Sequence, residues 1–229
     1  MRGRVKPGLP PGFIGRSGGF KKPRGAMGPT HAAFGNVVHR RSAAQPTQLA
    51  ALRAGAMMKS VADIDTGRLV LRPIDLKTAR ALLEGQMPAE LRVAADYPSQ
   101  FSLEVMDLIA GLRAAEVEQF RSFFLVRKTD ATVIGEIGSQ LDSATKSIQV
   151  GYSIVRSCWG QGYATEALRA LLAALLARAD VHRITAETMV DHQASRRVME
   201  KAGMRHCGHH RVAEENGATV ELVLYELVR

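Results

Sequence analysis

The 229-residue chain has only two cysteines, Cys158 and Cys207. Two thiols cannot form a disulfide framework, and nothing stands at the paired spacing of a metal site, so no metal is expected. The implied compartment is reducing, and the expected location is the cytoplasm. Long apolar runs are also missing. The longest, Ala170 to Ala177, is bounded by Arg169 and Arg178. It falls far short of the roughly 20 residues that span a bilayer, and no secretory-type apolar stretch opens the chain. No membrane partner is therefore expected. Acidic residues are absent from Met1 to Ser60, which holds 11 Lys and Arg, whereas Val61 onward carries 20 basic and 22 acidic residues. The net charge of +9 thus belongs to the first quarter of the chain. A nucleic-acid partner is not expected except through that basic tail.

The same quarter holds 10 of the 21 glycines and 6 of the 9 prolines, without apolar periodicity. Such a segment cannot bury enough surface to offset its ordering entropy. The expected organisation is a disordered basic extension over residues 1–60 and one folded domain over residues 61–229.

Within the domain, Arg68 to Ile74 alternates as a strand. Asp75 caps a helix with Leu76, Ala79, Leu82 and Leu83 on one face, stopped by Gly85. A loop through Tyr97-Pro98 leads to a second helix, expected to start at Ser102 and run to about Phe120. Three strands are expected at Phe123 to Lys128, Thr132 to Asp142 and Ser147 to Val155. Their turns, Thr129-Asp130 and Ser143-Ala144-Thr145, are short enough to imply antiparallel hairpins. An apolar helix, Tyr163 to Ala179, follows Gly160 and Gly162. A strand from His182 to Val190 comes next, then a helix started by Asp191 or His192 and ended at Gly203. Met204 to Val212 and Thr219 to Val228 close the chain as a hairpin turned at Asn216-Gly217.

The unit Val150 to Val155, Gly160-x-Gly162-x-Ala164, then helix, places a glycine loop at a helix start. Unpaired N–H groups and the positive end of the macrodipole suit a phosphate there. An isolated GxG is more often a plain tight turn. A Rossmann site, with Glu187 near the ribose position, would need repeated βαβ crossovers, and only one is available here. A coenzyme A pyrophosphate loop is the third reading.

Several stretches in order resemble the GNAT superfamily of N-acetyltransferases, in its ribosomal-protein-N-acetyltransferase-like branch, from about Thr66 to the end. They are Thr66 to Pro73, Ile134 to Gly138, Val150 to Ile154, Trp159 to Ala167 and Ala194 to Met204. The resemblance implies an α/β (α+β) fold with about seven mostly antiparallel strands splayed around the cofactor and about four helices. It also implies acetyl-CoA as co-substrate. The pantetheine arm would pair with the backbone of Ile154 and Val155. The pyrophosphate would lie on Gly160, Gln161, Gly162, Tyr163 and Ala164, with Ser157 and Thr165 alongside. Ser157 stands where the family often has Gln or Arg, and His192 where this branch usually has Asn. Met199 occupies the place of the tyrosine that commonly protonates the leaving thiolate, so Ser195, one turn earlier, becomes the hydroxyl candidate for contact with the thioester or pantetheine.

Acetyl transfer to an amine requires the amine to lose a proton and the developing oxyanion to meet N–H donors. Activity is accordingly expected to rise with pH. Glu136 and Glu187, on strands beside the presumed splay, are the candidate bases. Glu136 is narrowly favoured, an orientation of Glu187 away from the acceptor cleft being entertained. His192 has a suitable side chain, but capping of its helix accounts for it equally, as self-capping does for Ser195. The run His206-Cys207-Gly208-His209-His210 reads as a half-exposed strand, since alternate residues face opposite sides. Cys158 is read as a packing residue.

The expected function is transfer of acetyl from acetyl-CoA to a primary amine, a protein N-terminus or small molecule, by direct attack in a ternary complex of a monomer or homodimer. The competing reading is a non-catalytic coenzyme A-binding regulatory module with a nucleic-acid-binding basic tail. The resemblance begins only near Thr66, so a protein starting at Met58 is expected to match the full chain in stability and in kinetics on a small amine. The twin Met57-Met58 favours a start codon placed too early over a recruiting arm or a targeting peptide. A large loss of stability on truncation would show instead that the tail packs on the domain.

Overall fold

The computed structural model describes residues 62–229 except 90, 113–115, 117–118, 143–144 and 214–218. The basic extension, Met57-Met58 and the Asn216-Gly217 turn lie outside the described residues, as does most of the Ser143-Ala144-Thr145 turn. A short β1 (Ile64–Asp65) precedes β2 (Leu69–Pro73), whose Leu69 and Leu71 are buried. Asp75 then caps α1 (Leu76–Leu83) through Thr78 N–H, and Gly85 leaves the helix at φ 74°, the left-handed exit a glycine allows.

After β3 (Arg92–Val93), helix α2 spans Gln100–Ala110, which corrects the expected helix at both ends. Ser99 is the N-cap and Ser102 its capping-box partner, each side chain bonding the other's N–H, and Gly111 ends the helix. Ser102 therefore sits in the first turn rather than before it. Phe120 belongs to β4 (Phe120–Arg127), which starts three residues before the expected Phe123 because Phe120, Arg121 and Ser122 pair with Gln140, Ser139 and Gly138 of the next strand. Strands β5 (Thr132–Asp142) and β6 (Ser147–Ile154) follow, then α3 (Tyr163–Leu176), β7 (Arg183–Met189), α4 (Gln193–Lys201), β8 (Arg205–Ala213) and β9 (Thr219–Val228).

The strands form one sheet in the order β1-β2-β4-β5-β6-β7-β9-β8, with β3 beside β5. Pairing is antiparallel except at β3/β5 and β6/β7, the latter pair being joined by the crossover through α3. The two extra strands, β1 and β3, have two residues each and carry no readable period. Glu136 on β5 meets α2 through Ser102, while Tyr152 on β6 meets α4 through Ser195. The sheet is thus covered by α1 and α2 on one face and by α3 and α4 on the other. Covered faces explain why β5 is buried from Thr132 to Ser139 without alternation.

Between Phe124 and Val126 the β4/β5 register shifts, so that Ile134 and Gly135 together oppose Leu125. This bulge brings Gly135 against β6, where a Cβ would lie 2.1 Å from Ser153 O.

Candidate active site

The sheet opens between β6 and β7. Their parallel ladder holds only Ile148↔Ile184 and Gln149↔Thr185. Neither strand frays, because β6 stays paired to β5 up to Ile154 and β7 to β9 up to Met189. The two strands therefore diverge as intact walls. Val155 N–H donates to Ile134 O on β5 (2.9 Å), so by alternation the backbone groups of Tyr152 and Ile154 face the opening. The Ile154 carbonyl there accepts the Trp159 indole N–H at 2.7 Å. Of the pair expected to meet a pantetheine arm, Val155 thus has its N–H engaged, and Tyr152 joins Ile154 on the open edge.

At the end of β6 the chain makes one 3-10 turn, Arg156–Cys158, and enters the glycine loop. Gly160 and Gly162 have φ of 73° and 80°, a region that side chains resist. Gly162 is the N-cap of α3 and supplies no side-chain cap. Among the described residues, no N–H of residues 160–164 donates to a backbone acceptor. These orphan donors, at the positive end of a 14-residue helix, fit a pyrophosphate. The loop is clamped from behind. Glu166 accepts from Thr66 Oγ1 (2.7 Å), Arg68 N–H (2.6 Å) and Arg68 Nε (2.7 Å), while Arg68 Nη1 donates to Gln161 O. The Arg68 guanidinium also lies 4.5 Å over the Tyr163 ring. Ser157 is held differently from its neighbours, its N–H and Oγ both donating to Asp96 at 3.0 and 2.7 Å. Ala164 and Thr165 are half-buried in the first turn of α3.

On the α3/α4 side of the opening, Ser195 is buried, and Tyr152 Oη lies 3.1 Å from Ser195 Oγ and donates to Ser195 O at 3.2 Å. Ser195 therefore does not cap its own turn. Tyr152 is not among the expected site residues, although alternation along Val150-Gly151-Tyr152-Ser153-Ile154 sets its hydroxyl on the face of the apolar Val150 and Ile154. Burial raises its phenol above the ordinary range, which keeps it a proton donor. His192 takes the N-cap position of α4 without a side-chain cap bond. Its ring lies instead 3.1 Å from Thr188 Oγ1, buried.

The α1/α2 face carries both carboxylates. Gln149, Ser153 and Glu136 share this face by register, and Gln149 Nε2 donates to Glu187 Oε1 at 3.0 Å. Glu187 is thus turned to the same side as Glu136, not away from it. Glu136 is 0% exposed. Its Oε1 accepts from Ser102 Oγ at 3.0 Å, and its Oε2 has no hydrogen-bond partner among the described residues, nor has Tyr97 Oη. Burial pushes the Glu136 carboxyl up to about 7, tempered by the nearby Ser102, Ser153 and Tyr97 hydroxyls. The Tyr97 phenol is driven well above its usual range by burial and by the Glu136 charge. Tyr97 carries no site signal in the sequence, since a Tyr-Pro pair reads only as loop. Cys158 is buried and Cys207 exposed, both free. Among the described residues no three His, Cys, Asp or Glu side chains converge as metal ligands, and no helix is long and apolar enough to cross a membrane.

A sequence model of the acetyltransferase (GNAT) domain matches residues 68–205. The uncharacterized N-acetyltransferase p20 of Bacillus licheniformis is 24% identical over 168 residues, covering 72% of this chain and 94% of that protein. Two solved structures share the fold. One is the ribosomal L7/L12 alpha-N-protein acetyltransferase RimL in complex with coenzyme A, with a TM-score of 0.55 at 22% identity, covering 73% of this chain and 98% of that one. The other is the Salmonella typhimurium acetyl transferase that modifies the N-terminal serine of 50S ribosomal protein L7/L12, with a TM-score of 0.56 at 19% identity, covering 73% and 99%. The family match takes in the opened sheet and the glycine loop together, and the chain belongs to the acetyltransferase (GNAT) domain family.

Proposed function

We propose that the protein transfers the acetyl group of acetyl-CoA to a primary amine. The observation that carries this reading is the opening of the sheet beyond Gln149 and Thr185, with the orphan N–H groups of residues 160–164 at its mouth. Those N–H groups would hold the pyrophosphate, while the open edge of Tyr152 and Ile154 would receive the pantetheine arm. When bound, acetyl-CoA supplies the activated acyl group. Tyr152 and Ser195 supply hydroxyls on the α3/α4 side, and Glu136 and Glu187 supply carboxylates on the opposite, acceptor side. The L7/L12 N-terminal serine acetyltransferase among the structural neighbours supports a protein N-terminus as acceptor.

Gly162→Val tests the site. Its φ of 80° is costly for a β-branched residue, and the added Cβ would stand 3.5 Å from the Arg68 guanidinium that clamps the loop, so the loop donors are displaced. The expected result in calorimetry is a loss of acetyl-CoA affinity of about 10-fold or more, worth about 1.4 kcal/mol, in protein whose circular dichroism is unchanged. Unchanged affinity in folded variant would remove the loop from the site. Thiol release from acetyl-CoA with peptides bearing free N-termini and with small amines tests the reaction; binding without release to any amine favours the regulatory module.

A further inference from the structure

Loss of the amine's proton needs an acceptor with a route to water, and the two buried carboxylates differ in this. Glu136 is sealed beneath α2. Glu187 stands two residues past the last β6/β7 pair, where the walls separate, and its other oxygen faces His210: Nε2 of that ring lies 3.4 Å from Glu187 Oε2. The Glu187 side chain is 7% exposed and that of His210 37%, so the imidazole joins a buried carboxylate to solvent.

A bulge brings His210 there. The β8/β9 register shifts between His206 and Gly208, so that Gly208 pairs Leu224 and His210 pairs Leu222. On β7, Glu187 pairs Leu224 and Met189 pairs Leu222, which places His210 on the Glu187 face, with the half-buried Leu222 and Leu224 beneath. Without the extra residue, His209 would take that place and His210 would turn to the α4 face, where His206 stacks edge-on against Tyr225. Gln149 fixes the carboxylate from its other side. The other charged pair on this face, Arg183 with Glu226, is satisfied within itself at 2.9 Å.

Resting on the acetyltransferase reading, we propose that Glu187 and His210 form the proton exit of the acceptor site. The ammonium of the acceptor gives one proton to the Glu187 carboxylate, leaving a neutral amine. The protonated carboxyl passes that proton to His210 Nε2, restoring the carboxylate and forming imidazolium, which releases the proton to water. The proton shed by the new amide nitrogen after attack takes the same route. Glu187 touches the substrate; His210 is a positioning and relay residue.

The test is His210→Ala, which leaves room for an imidazole molecule, with His210→Gln as the more conservative partner. At saturating acetyl-CoA and amine, turnover is expected to fall roughly 10- to 100-fold, toward the lower end of proton-transfer contributions. Acetyl-CoA affinity by calorimetry should stay within about twofold, because no loop donor is touched. Added imidazole should restore a substantial part of the turnover of His210→Ala, and none in Glu187→Gln. Independently of activity, the ring ¹⁵N shift of His210 Nε2, the nitrogen facing the carboxylate, should move on Glu187→Gln by more than that of Nδ1. Full turnover in both His210 variants, loss without imidazole rescue, or ring ¹⁵N shifts indifferent to Glu187→Gln would each overturn the relay. A wild type that binds no acetyl-CoA sinks the parent reading instead.

Discussion

Gly135→Ala is expected to destabilise the protein by at least about 3 kcal/mol, the upper end of ordinary overpacking penalties. The added Cβ would stand 2.1 Å from Ser153 O and 3.0 Å from Ile154 Cα. All the nearest obstacles are backbone, so no rotamer change relieves them, and β5 and β6 must part. Those strands form the side of the sheet that remains closed next to the opening, and Glu136 directly follows the bulge. Loss of acetyl-CoA binding should accompany the loss of stability. Urea denaturation of Gly135→Ala against Gly208→Ala measures this, because a Cβ at Gly208 meets nothing within 4 Å and should cost at most about 0.5 kcal/mol. Equal midpoints for the two variants would show that β5 and β6 do not approach so closely at the bulge.

The bulges mark the boundary of what could be read from residue order. Strands β5 and β9 and the capped start of α1 were legible, because short turn signals bound the strands and a single aspartate caps the helix. The glycine loop was legible for the same reason: a helix start and two left-handed glycines are local facts. Inserting one residue into a ladder reverses every side chain beyond it, and no short-range pattern announces that in Ile134-Gly135 or near Cys207. Hence His210 read as one of several alternating strand residues, while the face that Glu187 takes depends on the register of β7 with β6. The Ser195–Tyr152 pairing joins residues 43 apart and depends on how α4 settles beside the opened sheet. The start of α2 lies one turn before the expected Ser102 because both Ser99 and Ser102 have capping side chains, and only the reciprocal bonds tell the cap from its partner.

Glu136→Gln is expected to make the protein more stable at pH 8 while lowering its turnover more than its affinity for acetyl-CoA. The folded-state carboxyl sits at about 7 against an ordinary 4.5, raised chiefly by burial. A carboxyl raised on folding contributes its full stability below about pH 4.5, where both states are protonated. That stability is lost as pH rises through 7, since the unfolded chain ionises first. The shift corresponds to about 3 kcal/mol between the two limits. Glutamine keeps the shape and an oxygen for Ser102 Oγ but carries no charge, so the penalty disappears. Thermal melts should show the variant gaining roughly 5–10 °C over wild type at pH 8, with the gap shrinking toward pH 4.5. Parallel melting curves across that range would mean that Glu136 does not titrate as its burial requires. A stability gain joined to a loss of turnover would identify a buried carboxyl kept at the expense of stability for work in the acceptor site. A gain with turnover intact would assign Glu136 to anchoring α2 through Ser102 alone.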